Sequence, residues 1–149
     1  MRAVVQRVTK ALMEVDGRTV ASIGRGLVAY VGFGPGDDAA DFQYMTDKIR
    51  HLRVFEDGDG KMNLSVEDLG LGILFVPNFT LYGDCRHGRR PSYSGGAPVE
   101  EARGSFAAFI QYAKDQGVVC EQGIFQADMQ IEQHCDGPVT LLLDSKRTF

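Results

Sequence analysis

An Asp-Gly dipeptide between two strand-like stretches is the feature that most constrains how the N-terminal part of this chain can fold. Ala11-Leu-Met-Glu-Val15 precedes Asp16-Gly17, and Thr19-Val-Ala-Ser-Ile23 follows it. Asp-Gly favours a two-residue hairpin turn because both central positions of that turn need positive φ. The sequence therefore predicts an antiparallel hairpin here, preceded by a further strand over Ala3–Val8.

Apolar runs and alternating segments predict the remaining strands. Gly26–Val31 and Ile73–Val76 are continuous apolar runs of strand length, which is typical of strands buried on both faces. Three more strands are expected towards the C-terminus, at Val118–Cys120, Asp128–Ile131 and Val139–Leu143.

Two segments have helical periodicity. The first is capped by Asp37 and Asp38, and its apolar positions are Phe42, Met45, Ile49 and Leu52. The second begins near Pro98 and ends at Gly117, with an apolar stripe formed by Ala102, Phe106, Phe109, Ile110 and Ala113. Many strands and two helices predict an α+β domain in which the helices are layered on sheet, and 149 residues suit one domain, 1–149.

The charge pattern limits how this chain could bind nucleic acid. The formal net charge is −4, so binding would need a local basic patch. Arg86-His-Gly-Arg-Arg90 is the densest basic cluster, and Arg2, Arg7 and Lys10 could extend it. On charge alone, this cluster is equally well interpreted as a solvated loop or as a phosphate-binding patch.

No targeting or membrane segment is visible in the sequence. The N-terminal apolar stretch is interrupted by Gln6 and Arg7, which makes it too short and too polar for a signal peptide. No apolar run approaches the roughly 20 residues needed to span a bilayer. We expect a soluble, cytoplasmic protein with no membrane partner.

Cysteine and histidine spacing does not indicate a metal or a cofactor. The odd cysteine count and the lack of a CxxC pair argue against a disulfide framework and a zinc site (Cys85, Cys120 and Cys135). No HxxxH or HExxH pair is present, which argues against a metal hydrolase. Cys85 and His87 could form a nucleophile pair, but alternate residues on one loop rarely meet in the required geometry.

Two short segments stand out because they lack the usual catalytic side chains. Val76-Pro-Asn-Phe-Thr-Leu-Tyr82 and Asp136-Gly-Pro-Val-Thr140 contain no His, no Cys and no carboxylate pair. Thr80 could be a nucleophile only with a neighbouring base, and none lies between Pro77 and Tyr82. The residues themselves favour a threonine that binds backbone or substrate.

These two segments belong to a longer series of motifs that resembles the D-aminoacyl-tRNA deacylase (D-tyrosyl-tRNA deacylase) family. The similarity runs in order from Met1 to about Ser145. The matching blocks are Gln6-Arg-Val-Thr9, Arg53-Val-Phe55, Gly60-Lys-Met-Asn-Leu64, Phe79-Thr-Leu81, Gly88-Arg-Arg-Pro-Ser92, Gly123-Ile-Phe125, Ala127-Asp-Met129 and Asp136-Gly-Pro-Val-Thr140.

The resemblance implies a function and an architecture. It implies mixed sheets with barrel-like curvature packed against two helices. It implies hydrolysis of the ester between a D-amino acid and the 3′ end of tRNA, with mischarged glycyl-tRNA as a further substrate. It also implies a homodimer whose active sites lie at the subunit interface, with no metal and no cofactor.

The resemblance also assigns the residues that exclude L-amino acids. Gly137-Pro138 has a cis bond in the family and reaches into the partner subunit's pocket, where its carbonyl groups block an L side chain. The residue matching Arg7 holds this dipeptide from across the dimer. Because glycine has no Cβ, Gly137 would let the backbone approach the substrate closely.

The same resemblance implies roles for the other site residues. Phe79 and Thr80 match positions that line the catalytic pocket and contact the substrate, and Phe125 and Met129 match residues around the terminal adenosine. Catalysis is attributed largely to the terminal 2′-OH of the tRNA, and Thr80 as nucleophile is the second interpretation. Arg86, Arg89 and Arg90 are the candidate ligands for tRNA phosphates.

One departure from the family pattern affects the expected specificity. The family has Ser-Gln before Phe-Thr, whereas this chain has Pro77-Asn78. Proline has no N–H and no hydroxyl, so any hydrogen bond made by the serine is lost. A related animal deacylase has proline there, a trans Gly-Pro bond, and L-alanyl-tRNA as substrate. Phe79 and Arg7 favour the D-specific type, and a non-catalytic tRNA-binding module is the third hypothesis.

Overall fold

The strand β1 (Arg2–Val15) is the centre of the fold because three other strands pair with it in antiparallel orientation. The computed structural model describes residues 1–149. Its strand β3 (Gly26–Gly32) pairs with the first half of β1, and β2 (Arg18–Ile23) pairs with the second half. On the opposite edge, β8 (Gln130–Asp144) runs along almost the whole of β1.

The predicted hairpin is confirmed, and the strand before it continues without a break. Asp16 and Gly17 have φ values of 51° and 70°, the positive values that the turn requires. The sequence pattern predicts separate strands over Ala3–Val8 and Ala11–Val15, but the exposed residues Thr9 and Lys10 between them also belong to β1.

Parallel pairing extends the sheet beyond β3. The strand β6 (Gly72–Pro77) is parallel to β3, and β7 (Cys120–Gln122) is parallel to β6. The resulting six-stranded mixed sheet curves into a nearly closed barrel. Two short strands, β4 (Phe55–Glu56) and β5 (Met62–Leu64), form a separate two-stranded sheet. The predicted α+β class and barrel-like curvature are confirmed.

Three α-helices are present, one more than the sequence predicts. Both α1 (Ala39–Arg50) and α3 (Val99–Asp115) were expected, although α1 ends two residues before Leu52. The third, α2 (Val66–Leu69), is a single turn, too short to show periodicity, and only the Ser65 capping box marks it in the sequence. None of the helices combines the length and the apolar character needed to cross a membrane.

The two faces of the sheet bury different clusters. The larger cluster lies between the sheet and the helices, and its aromatic rings meet edge to face with centroids 5.0–6.3 Å apart (Phe33, Phe42, Phe75, Phe106 and Phe109). The smaller cluster includes Val8, Met13, Val28, Leu74 and Val76. Residues of β3 and β6 contribute to both clusters, as their apolar sequences predicted.

The two ends of the chain are held against the start of α1. The buried amino group of Met1 donates to Asp37 Oδ1 at 2.7 Å and to Ser145 Oγ at 2.8 Å. Lys146 Nζ donates to Asp41 Oδ2 at 2.6 Å. Burial alone would raise the pKa of Asp41, but the bonds from Lys146 and Ser145 outweigh it and lower the pKa to about 2.

A four-residue bulge interrupts the pairing of β1 with β8. Gln6 pairs with Thr140 and Val8 pairs with Cys135, so Arg7 alone faces the four residues 136–139. The sequence predicts separate strands over Asp128–Ile131 and Val139–Leu143, but the structure has one strand. A Gly-Pro dipeptide is typical of a strand end, and here the long bulge accommodates it within a continuous strand.

Gly26 provides a test of the close pairing of β3 with β6. A Cβ added at Gly26 would lie 2.1 Å from the carbonyl oxygen of Gly72. We expect Gly26→Ala to lower the free energy of unfolding by about 3 kcal/mol, because two paired backbones would have to separate. Gly24→Ala is the matched control, since its Cβ would meet no atom within 4 Å. Urea unfolding measures both, and equal effects would contradict this interpretation.

Candidate active site

A cavity of about 440 Å³ lies where β6 ends, and five residues proposed from the sequence line it. These five are Pro77, Asn78, Phe79, Phe125 and Met129. The remaining lining residues are Tyr30, Val76, Gln126, Ala127 and Ile131. We call this space the Phe79 cavity. The structure therefore brings together two segments that are almost fifty residues apart in the sequence.

The proline at the start of the unusual motif fits the backbone of β6. Pro77 is buried and stands opposite Val31 in the parallel ladder with β3. The next backbone N–H, that of Asn78, donates to the carbonyl oxygen of Val31 at 2.7 Å. Sheet pairing thus continues to the edge of the cavity without a donor at residue 77.

Asn78, which lines the cavity, is hydrogen-bonded to Thr80, which does not line it. Asn78 caps the short 3₁₀ helix Phe79–Tyr82, and its Oδ1 accepts from the Thr80 N–H at 3.1 Å and from the Thr80 hydroxyl at 2.5 Å. An amide oxygen is not a general base at neutral pH. Thr80 is exposed and makes no hydrogen bond to an ionisable side chain, so nothing in the chain activates it as a nucleophile.

Two phenylalanine rings line the cavity, those of Phe79 and Phe125. Phe79 has 64% of its side chain exposed and meets Tyr93 edge to face, with centroids 5.1 Å apart. Phe125 is half-buried, and the Arg103 guanidinium lies 4.9 Å from its ring centre. Arg103 also donates to the side chain of Gln126, which steadies the loop that carries Phe125. Aromatic rings that line a cavity are typical of a binding site.

Sequence analysis missed two contributors to this site. Tyr30 is the only polar-tipped side chain in the apolar run of β3, and that signal could have drawn attention to it. Burial, and to a smaller degree the nearby Cys135, raise the pKa of Tyr30, so its hydroxyl stays protonated at neutral pH. Arg103 lies on α3, and its contact with the Phe125 loop depends on tertiary packing.

Gly137 and Pro138 are exposed in the bulge of β8 and do not line the cavity of their own chain. Their peptide bond is cis, as the resemblance implies. Arg7 lies buried beneath the bulge, and its Nε is 3.2 Å from the carbonyl oxygen of Asp136, to which it donates, and 3.1 Å from Asp136 Oδ2. Its Nη1 donates to the carbonyl oxygen of Val54 at 2.5 Å. The contact between Arg7 and Asp136 lies within one chain, whereas the resemblance implies that Arg7 holds the dipeptide from across the dimer.

The three arginines proposed to bind phosphate lie on an exposed loop with different surroundings. Arg86 pairs with Asp84 through two hydrogen bonds of 2.9 and 2.6 Å, and these bonds lower the pKa of Asp84. The positive charge of Arg86 is therefore largely offset. Arg89 and Arg90 form no ion pair and carry the unbalanced charge of the loop.

Neither a metal centre nor a cysteine nucleophile pair is assembled elsewhere. No group of three or more His, Cys, Asp or Glu side chains is arranged to hold a metal ion. Cys85 and His87 are both exposed, and no hydrogen bond joins their side chains. The structure thus gives no support to the Cys85/His87 hypothesis.

Comparison with known proteins identifies the family. The family profile described as D-Tyr-tRNA(Tyr) deacylase matches residues 4–144. The chain belongs to the D-aminoacyl-tRNA deacylase family. The resemblance inferred from the sequence motifs is thereby confirmed.

Curated relatives in this family match the chain along its full length. A protein of Fervidobacterium nodosum named D-aminoacyl-tRNA deacylase is 54% identical, and alignment covers 100% of both chains. Relatives with the same name from Desulfitobacterium hafniense and Thermotoga petrophila are 52% and 47% identical over the same extent.

Solved structures support the deacylase fold. The c-Myc DNA unwinding element binding protein is 37% identical, superposes with a TM-score of 0.91, and the match covers 97% of this chain and 98% of that one. A probable eukaryotic D-amino acid tRNA deacylase superposes with a TM-score of 0.77 at 18% identity, covering 95% and 97% of the two chains. The second similarity concerns the fold alone.

Arg7 provides a test of how the bulge of this deacylase is anchored. We expect Arg7→Met to lower the free energy of unfolding by about 3 kcal/mol, because two carbonyl oxygens lose their charged donor. Arg7→Lys should recover little, since one ammonium group cannot reproduce the spread of guanidinium donors. Arg18→Met is the control, because Arg18 is exposed and makes no side-chain hydrogen bond. Denaturant unfolding of the three variants measures these free energies. A loss below about 1 kcal/mol for Arg7→Met would contradict the prediction.

Proposed function

We propose that this protein hydrolyses the ester that joins a D-amino acid to the 3′ end of tRNA, releasing the free amino acid and tRNA. The Phe79 cavity is the observation that carries this proposal. It gathers Phe79 and Asn78 from the segment after β6 and Phe125 and Met129 from the segment before β8. The first pair would hold the aminoacyl group, and the second would hold the terminal adenosine.

The chemistry of the cavity fits catalysis assisted by the substrate. A water oxygen attacks the ester carbonyl carbon, the bond to the ribose oxygen breaks, and a proton reaches that leaving oxygen. No ionisable side chain lines the cavity other than Tyr30, whose hydroxyl stays protonated. The terminal 2′-OH of the tRNA therefore assists the water, while the chain orients the ester and supplies backbone N–H donors.

Exclusion of L-amino acids is assigned to a second copy of the chain. Gly137 and Pro138 are exposed and stand outside the cavity of their own chain, so they are free to reach another subunit. Leu142, on the same strand, has 63% of its side chain exposed, which suits burial between subunits. A homodimer with interfacial sites would close each cavity with the partner's dipeptide, which admits glycine and rejects L side chains.

We assign binding of the tRNA backbone to the exposed loop that carries Arg86, Arg89 and Arg90. Arg89 and Arg90 have unbalanced charge and are exposed, so they can pair with phosphates. Arg86 would contribute after exchanging Asp84 for a phosphate.

Pro77 favours one second candidate, a deacylase with relaxed chirality that also accepts L-alanyl-tRNA. Pro77 lines the cavity at the position where the family pattern has serine. It removes a hydroxyl and an N–H from the wall, which changes what the wall can bind.

The activity can be tested with defined aminoacyl-tRNAs. We expect the purified protein to hydrolyse D-Tyr-tRNA and Gly-tRNA and to leave L-Tyr-tRNA intact over the same period, because a backbone wall excludes the L side chain. Release of labelled amino acid measures each reaction. Hydrolysis of L-Ala-tRNA would support the second candidate, the deacylase with relaxed chirality. Binding of D-Tyr-tRNA without turnover would instead select a non-catalytic tRNA-binding module.

The role of Thr80 can be separated from that of the tRNA hydroxyl. We expect Thr80→Ala to keep kcat within about tenfold of the unmodified protein, because the hydroxyl serves only to bond Asn78. A tRNA ending in 2′-deoxyadenosine should be hydrolysed about a hundredfold more slowly or worse. Thr19→Ala, an exposed threonine on β2, is the matched control. Complete loss in Thr80→Ala with unchanged tRNA binding would identify Thr80 as the nucleophile.

A further inference from the structure

A continuous chain of side-chain hydrogen bonds crosses the three strands β3, β1 and β8. The hydroxyl of Tyr30 donates to Gln133 Oε1 at 3.0 Å, and Gln133 Nε2 donates to Gln6 Oε1 at 2.6 Å. Gln6 Nε2 then donates to Thr140 Oγ1 at 3.2 Å. All three bonds run in one direction, and we call these four residues the Tyr30 relay.

The relay connects the Phe79 cavity to the bulge. Tyr30, at one end, lines the cavity. Thr140, at the other end, is the first residue of β8 that pairs with β1 after the bulge. Gln133 Nε2 also lies 3.3 Å from the sulfur of Cys135, the last paired residue before the bulge. The relay therefore contacts both residues that flank positions 136–139.

The bulge depends on these flanking contacts because the sheet itself restrains it poorly. One residue of β1 faces four residues of β8, and Pro138 has no N–H to donate. Successive side chains on β1 project to opposite faces, so Gln6 and Arg7 restrain the bulge from opposite sides. Arg7 fixes its start through Asp136, and the relay fixes its two flanks.

We propose that Gln6 and Gln133 are positioning residues that set the placement of Gly137-Pro138, and with it the discrimination between D- and L-aminoacyl-tRNA. This inference rests on the proposed function. The relay does not touch the substrate. It fixes the angle at which the dipeptide projects from β8 towards the partner's cavity. A misplacement of about 1 Å in such a group is enough to change reaction rates strongly.

Three substitutions at matched positions of β8 test the proposal. We expect Gln133→Leu to lower the ratio of kcat/KM for D-Tyr-tRNA over L-Tyr-tRNA about threefold to tenfold, as loss of neutral hydrogen bonds would. Gln133→Glu should restore most of the ratio. Its carboxylate accepts from Tyr30 and, after Gln6 turns its amide over, also from Gln6, whose oxygen then accepts from Thr140. Gln130→Leu is the control, since Gln130 is exposed on the same strand and makes no side-chain hydrogen bond.

Amide hydrogen exchange provides a readout that does not depend on activity. Exchange at the amides of Cys135 and Thr140, which pair with β1 on either side of the bulge, should quicken in Gln133→Leu and stay unchanged in Gln130→Leu, because only the first variant frees the flanks of the bulge. Thr140→Val, a near-isosteric change, repeats the test if Gln133→Leu does not fold. Unchanged exchange and an unchanged ratio in the relay variants would overturn the proposal. An unmodified protein inactive on D-Tyr-tRNA would overturn the proposed function, while the exchange experiment would still decide the positioning role.

Discussion

The pairing of β1 along both of its edges is the constraint on which the rest of the structure depends. Its first half joins β3, which leads through β6 to the cavity, and its other edge joins β8, which carries the bulge. Both features therefore have positions fixed by one strand. Because adjacent residues of a strand project to opposite faces, Gln6 and Arg7 reach different surroundings from neighbouring positions. Arg7 enters the interior on the side of the larger cluster, and Gln6 joins the polar chain on the face that carries the smaller cluster.

The cavity depends on shape and backbone placement more than on reactive side chains. The hydroxyl of Thr80 is bonded to an amide oxygen, and the Tyr30 hydroxyl donates away from the cavity. A site of this kind tolerates changes in side-chain chemistry so long as its outline is kept. Pro77 illustrates this tolerance, because the bond from the Asn78 N–H to Val31 keeps β6 paired with β3 although residue 77 has no donor. Its effect would then fall on specificity and leave the fold intact.

Local sequence signals predicted local structure well, and long-range contacts less well. The Asp16-Gly17 turn and the two amphipathic helices follow from turn chemistry and periodicity. Five cavity residues followed from the motif resemblance. The continuity of β8 did not, because a Gly-Pro dipeptide predicts a break unless a neighbouring strand and a buried arginine hold both sides. Tyr30 and Arg103 were missed for a related reason: each reaches the site only through tertiary packing, which a single sequence does not display.

The bulge has a consequence for the solubility of the free chain. β8 is fifteen residues long and pairs with β1 alone, so its outer edge offers a long row of unpaired backbone groups. Such an edge is a template on which foreign strands can add and fibrils can start. The bulge divides this row into two shorter pieces that differ in register, and the proline removes one donor between them. The segment proposed to discriminate between amino-acid mirror forms would thus also protect newly made chains from unwanted strand addition.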